Sequence, residues 1–286
     1  MMMIFRPMDL LANAEVYQGS GERPSGLIGL PHQQDHCGLR SRADKTDQTH
    51  APGRWLVLAA WPPELTELRR LLRHKRTGNQ VFARAAGVGL VEAAIGATAA
   101  IAQVKPQAVM FVGTAGLYPG RRPDLALAGV VAARRLVLSA DAVASGHAYF
   151  PPALPATQET TVVLRRIAAA TGLLLADVAC PLAITSQPAA VGRRARAQLC
   201  DVENLEAFAV ARAAVTAGLP FAAILGISNA VGPSAHAAWK RNATSAAAAA
   251  CRAALEVIER STSQSASREA RIKVSCFSQR HRGHRA

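Results

Sequence analysis

From residue 54 to residue 260, short apolar runs alternate with stretches of helical period, and few folds accommodate that alternation. Residues 55–60, 81–86, 108–112, 130–138, 183–186 and 221–227 read as strands. Residues 63–76, 90–103, 160–171, 205–217 and 237–259 read as helices. Runs that are apolar at every position, such as AVMFV at 108–112, suit strands covered on both faces. The helix at 63–76 opens on prolines and puts Leu65, Leu68, Leu71 and Leu72 on one side. The pattern predicts an α/β fold in three layers, a mixed sheet flanked by helices, with ligands at the carboxyl ends of the strands.

The flanks differ from this body. Residues 1–53 are polar, without a sustained apolar period, and are expected to be a disordered leader or an over-extended start of translation. Residues 261–286 are expected to be a basic, disordered tail. That leaves residues 54–260 as the folded unit.

Composition excludes several classes. No stretch approaches the roughly 20 consecutive apolar residues of a membrane span. The first residues carry Arg6 and Asp9 and lack a signal-peptide core, so no secretory leader is expected. The five cysteines form no CxxC, which points to a reduced, cytoplasmic chain with no structural zinc or other metal. A formal charge of +14 is spread over the body and is densest in the tail. No aromatic residues alternate with the arginines as they do on a strand-binding platform, so nucleic-acid binding is the minor reading.

Five motifs carry candidate chemistry. Gly87-Val88-Gly89 follows a strand and opens a helix, but Glu92 stands where a dinucleotide fingerprint needs glycine. These glycines suit a backbone that passes close to a sugar or a neighbouring strand. Gly113-Thr114-Ala115-Gly116, placed at a strand end, leaves a hollow that a planar ring could enter; a plain tight turn explains it equally. Glu206 begins an apolar helix within Asp201-Val202-Glu203-Asn204-Leu205-Glu206. A buried carboxylate there is costly unless it is bonded. It could cap the helix, as could Glu203, or accept two hydrogen bonds from the vicinal hydroxyls of a ribose. Ser228-Asn229 ends the last apolar strand; the amide is either a turn former or a combined donor and acceptor for a purine ring. Glu64 follows the first strand and is either a first-turn acid or a general base over a water.

In order and spacing, AGVGLVEAAIGATAAI (86–101), VMFVGTAGLYPG (109–120), VENLEAFAVARAA (202–214) and LPFAAILGISNAVG (219–232) resemble the purine nucleoside phosphorylase and methylthioadenosine/adenosylhomocysteine nucleosidase superfamily. Glu203-Asn204-Leu205-Glu206, then Ile227-Ser228-Asn229, then Trp239, look most like its futalosine hydrolases. The resemblance implies a nucleoside phosphorylase-like fold that needs no cofactor and forms a homo-oligomer. It implies Glu64 as the base that activates water, Glu206 as the ribose holder and Asn229 as the partner of the leaving base. Substrate contacts are then expected from Gly89, Thr114, Ala115, Gly116, Asn204, Leu205 and Ser228, with Leu205 in place of the family's usual Met.

Adenine-releasing relatives have Asp at the Asn229 position, so the resemblance implies a 6-oxopurine leaving group, with futalosine as the substrate. Trp61-Pro62-Pro63-Glu64 replaces the Gly-Asp-Pro loop of the phosphorylases, which implies hydrolysis. An adenine-releasing nucleosidase and a phosphorylase are the alternatives on this fold; a non-catalytic nucleic-acid binder is the alternative of another class. Gly146-His147-Ala148-Tyr149-Phe150 is a candidate lining for the 5′ side of the sugar. His147 and His236 read as ordinary surface or loop histidines. The pairs Arg121-Arg122, Arg134-Arg135 and Arg193-Arg194 read as solvated faces, one of which could instead meet an acidic 5′ arm.

Overall fold

Trp55, Val57 and Ala59 face one apolar cluster while Leu56 and Leu58 face another, so the first strand is buried on both sides. The computed structural model describes residues 53–74, 80–192 and 199–282, with side chains of the last helix described to Thr262. All but the last residue of the expected leader lies outside the described residues. The elements are β1 (Arg54–Ala59), α1 (Thr66–His74), β2 (Gln80–Ala85), α2 (Leu90–Val104), β3 (Ala108–Leu117), β4 (Val130–Ser139), α3 (Asp141–Ala144), β5 (Thr157–Glu159), α4 (Val162–Ala170), β6 (Leu174–Pro181), β7 (Val202–Glu203), α5 (Ala207–Thr216), β8 (Phe221–Ala230) and α6 (Ala235–Arg282). A 3₁₀ turn, Pro62–Leu65, links β1 to α1.

The strands form one mixed sheet, the expected α/β class. β1, β3 and β8 run parallel in its centre, with β2 beside β1. β8 pairs antiparallel with β4, β4 parallel with β6, and β6 parallel with β7, which returns antiparallel to β3. That side of the sheet therefore closes on itself.

The alternation seen in β1 recurs in β3 and β8. Val109 and Phe111, with Phe221, Ala223 and Leu225, point to the layer of α2 and α5. Ala108, Met110 and Val112, with Ala222 and Ile224, point to the layer of α1, α4 and α6. A period of two with both faces apolar is what a central parallel strand requires. α2 contributes Ala93, Ala97, Ala100 and Val104, one helical face of small residues that lets it lie close on the sheet.

Four expectations need correction. Residues 183–186 form no strand; the strand is β6, just before them. Asp177 interrupts the apolar run of β6 and hides it from a hydrophobicity reading, yet this carboxylate is buried under Arg134 and Arg135. Gly113–Gly116 is no turn: β3 continues through it, with a register shift between Ala115 and Gly116. β8 likewise extends through Ser228 and Asn229. α6 runs well beyond residue 259 into the segment expected to be a tail, and no Gly or Pro stands between Pro233 and Gly283 to break it.

Candidate active site

The carboxyl ends of β1, β3 and β8 converge on a cavity of about 360 Å³. Glu64, Thr114, Ala115, Gly116, Asn204, Leu205, Glu206 and Asn229 line it, bringing together positions up to 165 residues apart in sequence. Gly89 and Ser228, expected to touch a ligand, stand behind this lining and hold Glu206 and Asn229 in place.

Glu64 sits in the 3₁₀ turn, where Pro62 and Pro63 preset the backbone directly after β1. Its Oε2 accepts the Ala60 and Trp61 N–H groups at 3.1 and 3.4 Å. Burial, reinforced by the nearby Glu206 charge, pushes its pKa from 4.5 to about 7 against these hydrogen bonds. A carboxylate so poised exchanges a proton readily near neutrality.

Glu206 precedes α5 but does not cap it. Asn204 does: its Oδ1 accepts the N–H groups of Glu206 and Ala207 at 3.0 and 2.8 Å, while its Nδ2 donates to the Thr114 carbonyl at 3.0 Å. This corrects the expected capping role of Glu203 or Glu206, and makes Asn204 a brace between β3 and α5. Thus released, the Glu206 side chain turns to the cavity and accepts the Gly89 N–H at 2.9 Å. Gly89 has φ +84°, a left-handed conformation that a side chain would strain, and it is this conformation that presents the N–H to Glu206. Burial raises the pKa of Glu206 as well, opposed by the bonds from Gly89 and Asn204.

Asn229 lies in β8 beside Gly116 of β3. A Cβ at Gly116 would crowd the Asn229 Nδ2 at 3.0 Å, so the glycine makes room for the amide. Ser228 Oγ donates to Asn229 Oδ1 at 2.7 Å and Asn229 Nδ2 donates to the Ala230 carbonyl at 2.9 Å. An amide has two donor hydrogens and two acceptor lone pairs, so one of each remains for a ligand.

The lining also includes residues that were not expected to meet a ligand. Trp61 and Trp239 approach with ring centroids 6.2 Å apart, and His236 stacks on Trp239 at 5.9 Å. Trp239 Nε1 donates to Thr114 Oγ1 at 3.1 Å. His236 is exposed, as expected, yet it belongs to the cavity wall. Val88, Ile184, Thr185 and Glu203 complete much of the rim. Strand-end position was the available signal for Trp61, which lies three residues before Glu64; no local signal marked Ile184 or Thr185.

Residues 146–150 do not line the cavity, and Tyr149 is 81 % exposed. Among the described arginine pairs, Arg122, Arg134 and Arg135 are engaged in ion pairs rather than merely solvated. Arg134 and Arg135 both reach Asp177 at 2.8 Å, and Arg122 bridges Asp124 and Asp201. Arg193 and Arg194 lie outside the described residues. Among the described residues no cluster of three or more potential metal ligands occurs, and no helix is long and apolar enough to cross a membrane.

Carboxylates braced by backbone N–H groups and an amide at the ends of parallel strands define a small-molecule site on an α/β scaffold, and the family model described as the phosphorylase superfamily matches residues 58–259. The chain belongs to that superfamily. Its fold is shared by a 5′-methylthioadenosine/S-adenosylhomocysteine nucleosidase from Neisseria meningitidis, solved with methylthio-immucillin-A, at 19 % identity and a TM-score of 0.64, covering 73 % of this chain and 99 % of that one. A mutant Helicobacter pylori nucleosidase with 5′-methylthioadenosine in its active site matches at 16 % identity and 0.66, covering 73 % and 99 %. The futalosine hydrolase of H. pylori matches at 16 % identity and 0.65, covering 73 % and 98 %. No curated protein matches the chain in sequence.

Proposed function

We propose that the chain is a nucleosidase that hydrolyses the N-glycosidic bond of a purine nucleoside. The observation that carries this reading is the convergence of Glu64, Glu206 and Asn229 on one cavity, with Glu64 held near a pKa of 7. Cleavage builds positive charge on the ribose ring and negative charge on the departing base. Ionised Glu64 takes a proton from the attacking water. Glu206 offers acceptor oxygens to the ribose hydroxyls and negative charge to the developing cation. Asn229 accepts from a protonated ring nitrogen and donates to a carbonyl oxygen of the base. An amide cannot itself supply a proton, which favours a 6-oxopurine such as hypoxanthine over adenine, with futalosine as the preferred substrate.

Water is favoured over phosphate as the nucleophile by electrostatics. The described lining carries three carboxylates, Glu64, Glu203 and Glu206, and no Lys or Arg. Such a wall repels an incoming anion. The exposed apolar row Val88, Val91 and Ile95 beside the cavity supports a homo-oligomeric enzyme.

The test is chromatography of the base released from futalosine, inosine and 5′-methylthioadenosine, with and without phosphate. Phosphate-independent release of hypoxanthine supports the proposal. Adenine as the preferred product overturns the base assignment, and strict phosphate dependence overturns the hydrolytic one. Glu206→Gln should lower kcat/KM by about 100- to 1,000-fold, the usual loss when one group that stabilises developing charge is removed. Undiminished turnover by that variant would refute the role given to Glu206.

A further inference from the structure

Part of the cavity wall comes from an irregular strip, residues 182–187, that follows β6. Thr185 is its one buried residue, at 3 % exposure, whereas Leu182 is 74 % and Ile184 59 % exposed. Both Ile184 and Thr185 line the cavity. No helix or strand ladder positions them.

The buried carboxylate of Glu203, which the proposed chemistry does not use, gathers three donors. Its Oε1 accepts the Thr185 N–H at 3.0 Å. Its Oε2 accepts the Thr185 hydroxyl and, at 2.7 Å, the Tyr118 hydroxyl. Tyr118, fully buried, directly follows β3, and Glu203 itself belongs to β7, which pairs with both β3 and β6. One carboxylate therefore ties the irregular strip to the sheet at β7 and the end of β3, through charge-assisted bonds in a buried setting. The exposed Ile184 then stands at the cavity rim because its neighbour is anchored, although its own side chain is mostly in solvent.

We infer that Glu203 is a positioning residue that locks Thr185, and with it Ile184, as the fixed wall of the substrate cavity. It acts on substrate retention through the strip and takes no part in bond cleavage. The kinetic side of this inference rests on the nucleosidase reading; the structural side does not.

The experiment compares wild type, Glu203→Gln and Thr185→Val by steady-state kinetics and by backbone amide hydrogen exchange. Thr185→Val keeps the side-chain shape and the backbone N–H bond while removing the hydroxyl bond. Losing a charge-assisted hydrogen bond shifts an equilibrium by about tenfold or more. Exchange at the Thr185 amide should therefore accelerate by about tenfold in both variants, with the rest of the sheet unchanged. KM should rise by about tenfold while kcat changes by less than about threefold. Unaltered exchange in the strip would overturn the proposal. So would a fall in kcat at constant KM, since that pattern belongs to a group acting in the transition state. If Glu203→Gln does not fold, Thr185→Val carries the same readouts alone. Should wild type release no base from any nucleoside, the nucleosidase reading fails and the exchange experiment still decides the lock.

Discussion

Replacing Glu64 by Gln removes an ionisable group that the fold holds in an unfavourable state, and its effect on stability should depend on pH. The carboxyl is 8 % exposed, and its pKa rises from 4.5 to about 7 because burial and then the Glu206 charge disfavour the ionised form. The unfolded chain releases this proton around 4.5 and the folded chain only around 7, so between those values the folded state binds more protons. Stability therefore falls as pH rises across that window, and the contribution present below 4.5 is gone above about 7. Each tenfold change in the ionisation equilibrium corresponds to about 1.4 kcal/mol, so this displacement is worth about 3 kcal/mol. Gln does not titrate. The stability of Glu64→Gln minus that of wild type should hence increase by about 3 kcal/mol between pH 4 and pH 8, whatever its starting offset. Urea denaturation of both proteins across that range measures it directly. A difference that stays flat with pH would refute the reasoning. The same ionisation predicts that wild-type kcat/KM rises with pH through about 7, while the variant loses turnover.

The remaining predictions concern the groups around Glu64. Asn229→Asp introduces an acid able to hold or protonate a purine nitrogen, so the released-base ratio should move toward adenine; an unchanged ratio in the chromatographic assay would count against the amide's role. Asn204→Ala should cost about 1–2 kcal/mol through the lost helix cap and lower kcat/KM by misplacing Glu206, read by urea denaturation and kinetics together. Gly226→Ala should destabilise by about 2–3 kcal/mol or more, because the new Cβ would run into the Ala246 backbone where α6 crosses β8. Equal melting temperatures for that variant and wild type would show that the two elements can separate at little cost.

How far the site was legible depended on whether a residue acts through its own type or through its surroundings. Glu64, Glu206 and Asn229 were legible as candidates because polar side chains ending apolar runs are costly unless bonded, while the family resemblance chose between their structural and their chemical readings. Gly89 was expected as a close-approach glycine, but a Cβ there would meet open space; its left-handed φ is what the site uses, to present its N–H to Glu206. The strand β6 was not legible, because Asp177 breaks its apolar run and only Arg134 and Arg135, from a neighbouring strand, make that burial tolerable. Arg134 and Arg135 were misread for the same reason: a local reading sees free charge, and Asp177, the acid they meet, is some 40 residues away.

Hydrophobic period and strand-to-helix alternation by themselves determined the α/β class, the central strands and the carboxyl-end location of the cavity, since these follow from each segment's need to bury its apolar face. Tertiary structure alone decided that Asn204 and not Glu206 caps α5, that His236 joins the wall beside two tryptophans, and that Glu203 clasps a strip with no structure of its own. Those outcomes turn on hydrogen bonds between distant segments, whose donors and acceptors meet only after the sheet has closed.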